Sequence, residues 1–324
     1  MKGKVLALLR GRLGEPVSGE ELSHRLGVSR TAVWKHIQAL RDEGYDIISQ
    51  PGTGYILQGV PDRLLPAELE HALAGNSLVT RIVYAPSLPS TNDQVKQLAD
   101  EGAPEGTLVV AEHQTEGKGR LGRAWFSPPQ AGIYASLLLR PVLRPEQAPG
   151  FTLLAAVAVA RAVGQVTGLR AGIKWPNDVL LAGRKVCGIL TEMKGEMDRI
   201  HYLVIGTGIN VNTDPADFPP ECRDRAISVK AVLGHSVSRV ELLAAYLRAL
   251  EKLYDVYLQH GLAPIIKAWK EWNVTLGEWV SVDLGTTVFQ GRAVDLDKNG
   301  ALMVQGEHGE LRTFQSGEVT LTKR

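Results

Sequence analysis

The chain has 324 residues, with 36 Lys and Arg against 35 Asp and Glu, 34 Gly, 17 Pro and 2 Cys. At about 150 residues per domain the length suggests two or three domains, and a content of 44% hydrophobic and 22% charged residues excludes a disordered or collagen-like chain. The net charge of +1 excludes a bulk polyanion binder, so any nucleic-acid contact has to come from a local patch.

Residues 1–60 are predicted to form a compact helical unit. Val5, Leu6, Leu8, Leu9 and Leu13 suggest a first helix, stopped at Gly14 and Pro16. Ser18 with Glu21 three residues on reads as a capping box opening a second helix, which ends at Gly27. Ser29 caps a third, with Val33, Ile37 and Leu40 as its buried stripe and Gly44 as its stop. Two short strands, 47–48 and 55–57, are joined by Pro51-Gly52-Thr53-Gly54. This order is that of a winged helix-turn-helix. The third helix turns Arg30, Thr31, Trp34, Lys35 and Gln38 away from its stripe, where cations can meet phosphates and Thr or Gln can read base edges. A solvated face or a protein-docking module is the alternative, and Trp34 either reads DNA or packs on the wing. Eight Lys and Arg against six Asp and Glu leave residues 1–60 a surplus of only two positive charges, so a dimer on paired half-sites is expected.

Pro61 and Pro66 mark an expected linker over 61–77. In 78–273, strand patterns at 81–85, 107–112, 133–140, 186–193 and 200–210 outnumber helices at 93–101, 147–167 and 240–257, which predicts an α+β mixed sheet. The Asp- and Pro-rich stretch 213–226 reads as a mobile surface loop, and a short helix is expected near 265–272. The tail, 274–324, alternates strand patterns with Gly turns and is expected to form a small β-barrel. The longest apolar run, 151–160, is far short of the roughly 20 residues of a membrane span. The first ten residues hold too short an apolar core for a signal peptide, and Cys187 and Cys222 cannot make a disulfide framework or a four-cysteine zinc site. A soluble cytoplasmic protein with no membrane partner is expected.

Four segments carry chemistry, and a fifth imitates a site. Gly117-Lys118-Gly119-Arg120-Leu121-Gly122-Arg123 contains G-x-G-x-x-G, but Trp125-Phe126-Ser127-Pro128-Pro129 follows where a dinucleotide fold needs a helix. What remains is a flexible loop whose Lys118, Arg120 and Arg123 can face several anionic groups, or else a solvated basic loop. Lys174 ends an apolar strand beside Trp175-Pro176-Asn177-Asp178, a poised site residue or an exposed Lys before a structural turn. Gly206-Thr207-Gly208-Ile209-Asn210 permits close approach of a flat ligand, with the Asn210 amide able to pair with a base edge. Ser90-Thr91-Asn92 is a polar cluster or a plain helix cap. Asp295-Leu296-Asp297-Lys298-Asn299-Gly300 imitates a calcium loop but lacks the closing Glu, and reads better as a hairpin turn.

Taken together with Gly188-Ile189-Leu190, the first four of these segments resemble, in combination and order, the bifunctional biotin protein ligases that also repress the biotin operon. The resemblance runs over essentially the whole chain. It implies a winged helix, a central domain similar to class II aminoacyl-tRNA synthetases, and a small C-terminal barrel. The implied activity is that of a biotin–[acetyl-CoA-carboxylase] ligase: biotin and ATP react, with Mg²⁺, to biotinyl-5′-AMP, and biotin passes to a lysine of a biotin carboxyl carrier protein. By resemblance, Lys174 and Arg120 are catalytic. Ser90, Thr91, Asn92, Gln114, Lys118, Gly119, Arg120 and Lys174 hold biotin. Arg120, Arg123, Lys174 and Asn210, with loop 213–226, hold ATP. Asp178 holds Mg²⁺ or orients Lys174. Lys118 stands where several relatives carry Arg, which keeps the charge but not the bidentate fork. Neither Cys is expected to act as a nucleophile. Operator DNA and a homodimer formed on binding biotinyl-AMP are the further implied partners. A ligand-sensing repressor without ligase activity and a lipoate ligase are the alternatives.

Overall fold

The structure, a computed structural model, describes residues 1–322 and divides into two compact units, Met1–Arg63 and Leu64–Arg324. In the first, helices α1 (Lys2–Arg10), α2 (Gly19–Leu26) and α3 (Arg30–Asp42) precede an antiparallel hairpin of β1 (Asp46–Gln50) and β2 (Gly54–Gly59). Ser18 Oγ accepts from the Glu21 amide at 3.0 Å and Ser29 Oγ from the Ala32 amide at 3.2 Å, so each expected cap forms. The Glu21 carboxylate turns to Arg12 and Arg25 instead of completing a box. Val5, Leu6, Leu9, Leu22, Val33, Ile37, Leu40 and Leu57 make the core. Leu13 lies beyond the end of α1 and is exposed.

The second unit begins inside the expected linker. Pro66 is not a breaker there but the first residue of α4 (Pro66–Ala72), where a missing N–H costs nothing, and Leu64, Leu65, Leu69 and Leu73 are buried. A seven-stranded sheet follows, in the order β3-β4-β5-β9-β8-β7-β6. Its strands are β3 (Arg81–Ala85), β4 (Thr107–Ala111), β5 (Gly132–Leu139), β6 (Gly172–Lys174), β7 (Asp178–Leu181), β8 (Arg184–Gly195) and β9 (Ile200–Asn210). Only β3 and β4 pair in parallel, so the sheet is mixed as expected. Alternation along β4 and β5 sorts two faces. Val109, Ala111 and Leu138 meet α5 (Thr91–Asp100), while Leu108, Val110, Leu137 and Leu139 join the larger core of α6 (Pro149–Thr167) and α9 (Arg239–His260). The α6 segment is long and apolar enough to cross a membrane, but its residues are spent on this core.

Stretch 213–226 contains a short helix, α7 (Pro220–Arg223), and is followed by α8 (Val229–Leu233); α10 (Ala263–Trp272) leads to the tail. There β10 (Trp279–Asp283), β11 (Val288–Leu296), β12 (Leu302–Gln305), β13 (Leu311–Phe314) and β14 (Glu318–Leu321) form an antiparallel sheet ordered β13-β12-β11-β10-β14. Among the described residues the end strands β13 and β14 do not pair, so the expected barrel is not closed. The inner residues Val280, Val282, Val304 and Val319 belong to the same buried cluster as α6 and α9, and the edges need not meet to shield them.

The ion pair of Arg239 and Glu112 is wholly buried. Arg239, at the start of α9, donates to Glu112 at 2.7 Å and to the Gly132 carbonyl at 3.1 Å, and the second Glu112 oxygen accepts from the Leu64 amide at 2.8 Å. Every charge in it has a hydrogen-bonded partner, the condition for tolerating charge in a core.

Candidate active site at the seam of two cavities

The basic loop folds on itself. The Gly119 amide donates to the Arg123 carbonyl at 2.7 Å and the Trp125 amide to the Gly117 carbonyl at 2.8 Å, while Leu121 takes a left-handed φ of 58°. Its three cations point three ways. Lys118 Nζ pairs with Asp93 at 2.5 Å, at the start of α5. Arg120 Nη1 donates to Asn177 Oδ1 at 3.0 Å and to the Gly317 carbonyl at 3.4 Å. Arg123 grips both oxygens of Glu318, on β14.

Beneath the loop lies a small polar cavity of about 40 Å³, room for only a few waters. Ser90, Thr91, Asn92, Gln114, Lys118, Gly119 and Arg120, all expected on the vitamin side, line it. Thr91, Asn92 and Gln114 belong to one network. Gln114 Oε1 accepts from the Thr91 amide and hydroxyl at 2.8 and 3.0 Å, and Gln114 Nε2 donates to Ser127 at 3.0 Å. Ser136 Oγ bridges Thr91 and Asn92 at 2.7 and 2.6 Å, and Asn92 Nδ2 reaches Glu192 at 2.7 Å. Ser90 is the α5 cap and lines the cavity as well.

The strand glycines make the room. A Cβ on Gly206 would lie 2.0 Å from Asn92 Oδ1, and one on Gly208 2.4 Å from Trp125 Nε1. The flat group that approaches Gly208 is therefore the Trp125 indole, whose buried Nε1 has no partner.

A larger cavity of about 550 Å³ adjoins the first. The expected nucleotide residues Arg120, Arg123, Lys174 and Asn210 all line it, with Asp178, Cys222, Arg225 and the segment 317–321. The Asn210 Nδ2 donates to the Ile227 carbonyl at 3.2 Å and, weakly, to that of Lys185 at 3.5 Å. Lys174 lines only this cavity and not the small one.

Both cavities are lined by Gly119, Arg120, Trp125, Asn177 and Lys185. Among the described residues, Arg120 and Lys185 are thus the two cations at the seam. Lys185 is absent from the expectations above. It lies near the start of β8, paired across from Leu180, with its backbone held by the Arg225 carbonyl at 2.7 Å and the Ile227 amide at 2.9 Å. Its only sequence signal is a cation three residues before Gly188, in Gly183-Arg184-Lys185.

Asp178 receives both lysines, Lys185 at 2.6 Å and Lys174 at 3.1 Å. Burial alone would push its carboxyl up, but Lys185 and Lys174 hold it below the ordinary value of 3.8. No three His, Cys, Asp or Glu side chains gather as a metal cluster among the described residues. Burial raises both thiols, most strongly the enclosed Cys187, in line with neither being a nucleophile.

In the first unit, Arg30, Thr31, Trp34 and Lys35 are exposed on α3, Trp34 at 51%, and Gln38 is half-buried. Arg30 is held at the surface by Glu20, 2.8 Å away.

Three family models match the chain: the HTH domain over residues 4–56, the biotin/lipoate A/B protein ligase family over 84–210 and the biotin protein ligase C terminal domain over 275–321. The chain is 39% identical to the bifunctional ligase/repressor BirA of Bacillus subtilis, covering 95% of this chain and 94% of the relative. It is 33% identical to that of Escherichia coli, covering 98% and 96%. Among solved structures, the biotin protein ligase from Aquifex aeolicus in complex with biotin and ATP matches with a TM-score of 0.66 at 29% identity, over 76% of this chain and 100% of that one.

Proposed function

From the premise that the chain belongs to the family of bifunctional BirA ligase/repressors, we propose how its two cavities divide the work. The protein is a biotin–[acetyl-CoA-carboxylase] ligase carrying a helix-turn-helix DNA-binding domain. Biotin occupies the small cavity and ATP the large one. The biotin carboxylate oxygen attacks the α-phosphorus, the bond to the β-phosphate oxygen breaks, and pyrophosphate leaves, giving biotinyl-5′-AMP. A lysine amine of the carrier protein then attacks the acyl carbon, loses a proton and expels AMP.

The observation that carries this reading is the pair of cations at the seam. Two anions must meet there, and preorganised positive charge is the main requirement. Arg120 and Lys185 neutralise the approach and the developing charge on the phosphate. Lys174 binds the phosphates from the large cavity and shares Asp178 with Lys185, which makes Asp178 the orienting carboxylate. With both its oxygens turned to lysines, Asp178 does not fit a resident Mg²⁺, which enters as part of the substrate MgATP. The small cavity must widen for the vitamin's rings, so the loop of Lys118–Trp125 has to withdraw and re-close, excluding water from the labile anhydride.

Biotin-dependent exchange of labelled pyrophosphate into ATP tests the assignment. Lys185→Ala should lower it by on the order of 10³-fold while Lys174→Ala chiefly raises the KM for ATP; the reverse pattern rejects it. In the first unit, Arg30, Thr31, Trp34, Lys35 and Gln38 read operator DNA as a dimer formed on binding biotinyl-AMP, its ATP and DNA placing it in the cytoplasm. Sedimentation with and without biotinyl-AMP should show the dimer only with it.

A further inference from the structure

We propose that Asn177 is a positioning residue for adenylate formation: its side-chain amide, locked in one orientation, holds the Arg120 guanidinium at the seam. The inference rests on reading the seam as the place where carboxylate and phosphate meet.

Asn177 lines both cavities and is only 9% exposed. Its Nδ2 donates to the Ile189 carbonyl at 2.9 Å, and its own carbonyl accepts from the Ile189 amide at 3.1 Å. The residue is thus tied twice to β8. With the donor end committed to a strand carbonyl, only the oxygen can face the seam. Flipping the amide would leave a buried acceptor unpaired and turn N–H groups toward a cation. That oxygen accepts from Arg120 Nη1 at 3.0 Å.

Arg120 needs such a partner. It stands on a turn between Gly119 and Gly122, at the head of an exposed loop, and its other contact, the Gly317 carbonyl, is at a long 3.4 Å. The neutrality of the holder matters as much as its place. A carboxylate there would cancel part of the guanidinium charge and add a negative group where two anions approach. A neutral amide fixes the direction of the cation and leaves its charge for the phosphate. The neighbouring Asp178 illustrates the contrast, since its charge is taken up by Lys174 and Lys185.

The experiment is a double-mutant cycle on the full chain, read by biotin-dependent pyrophosphate exchange in Asn177→Ala, Arg120→Ala and the double variant. Misplacing Arg120 should lower kcat in Asn177→Ala by on the order of 10- to 100-fold, with KM for biotin and ATP within about threefold of wild type. The double variant should be no slower than Arg120→Ala within about twofold, because the loss is already contained in the arginine. Losses that multiply in the double variant, or a kcat in Asn177→Ala equal to wild type, overturn the inference. If Asn177→Ala melts more than about 10 °C low, Asn177→Ser, which keeps a polar group in the site but is too short to reach the guanidinium, takes its place in the same cycle. An Arg120→Ala protein with full exchange would sink the seam reading itself. An impaired Arg120→Ala beside an unimpaired Asn177→Ala would remove the role of Asn177 alone.

Discussion

The two walls of the seam are built on opposite principles. The wall of residues 174–178 and β8 is fixed from behind. Trp175 is 1% exposed, its amide donates to Thr275 Oγ1 at 2.9 Å, and its indole N–H donates to the Gly300 carbonyl at 3.0 Å. The wall of the basic loop is exposed, turns on glycines, and is held by side-chain ion pairs to Asp93 and Glu318. Charge on the first wall is placed before any ligand arrives; charge on the second can be moved. A preorganised half lowers the barrier, and a mobile half lets substrate in.

Substitutions should split along this line. The largest effect is expected for Lys185→Ala on the fixed wall, a loss on the order of 10³-fold in pyrophosphate exchange, whereas Arg123→Ala on the loop should chiefly raise the KM for ATP. Equal losses in kcat would erase the distinction. Next comes Trp175→Ala, which empties a core site and should lower unfolding free energy by about 3–5 kcal/mol in urea titration. The same truncation at the partly exposed Trp125 should cost clearly less, and a comparable cost would show the loop to be as rigid as the turn.

A smaller effect concerns acid. The folded-state carboxyl of Asp178 lies below 3.8, so the stability it contributes is complete above that pH and is lost as pH falls through the lower folded value. The stability gap between wild type and Asp178→Asn should therefore be constant near neutrality and narrow below about pH 4; a gap that stays constant into acid contradicts the pairing. The smallest change belongs to Glu318→Gln. Its partner Arg123 is 58% exposed, so less than about 1 kcal/mol is expected, diminishing further in 1 M salt.

What could be read from the residues follows the range of the interactions. Caps at Ser18 and Ser29 and the stripe of α3 depend on neighbours within a turn or two, and each forms as expected. The motif segments converge as well: Ser90 and Arg120 stand in segments singled out by their residue types, while Gln114 comes only from the family resemblance. Lys185 is marked by neither. It is one of two cations after a glycine, and only the β7–β8 pairing brings it over Asp178. Asn210 shows the same limit from the other side: nothing in the sequence indicates that carbonyls from two distant segments take up its Nδ2. Pro66 was ambiguous in principle, since the same residue breaks a helix from inside and opens one at its first turn.

The bond from Trp175 to Gly300 has a consequence for how this protein comes apart. It ties the 174–178 turn to the hairpin turn between β11 and β12, and Leu153 of α6 lies against the same glycine. Strands of the C-terminal sheet and helices of the catalytic domain share one buried cluster. Two segments that look like separate modules in the sequence are therefore expected to melt in a single cooperative transition, and exchanging the tail for that of a distant relative demands repacking around this glycine.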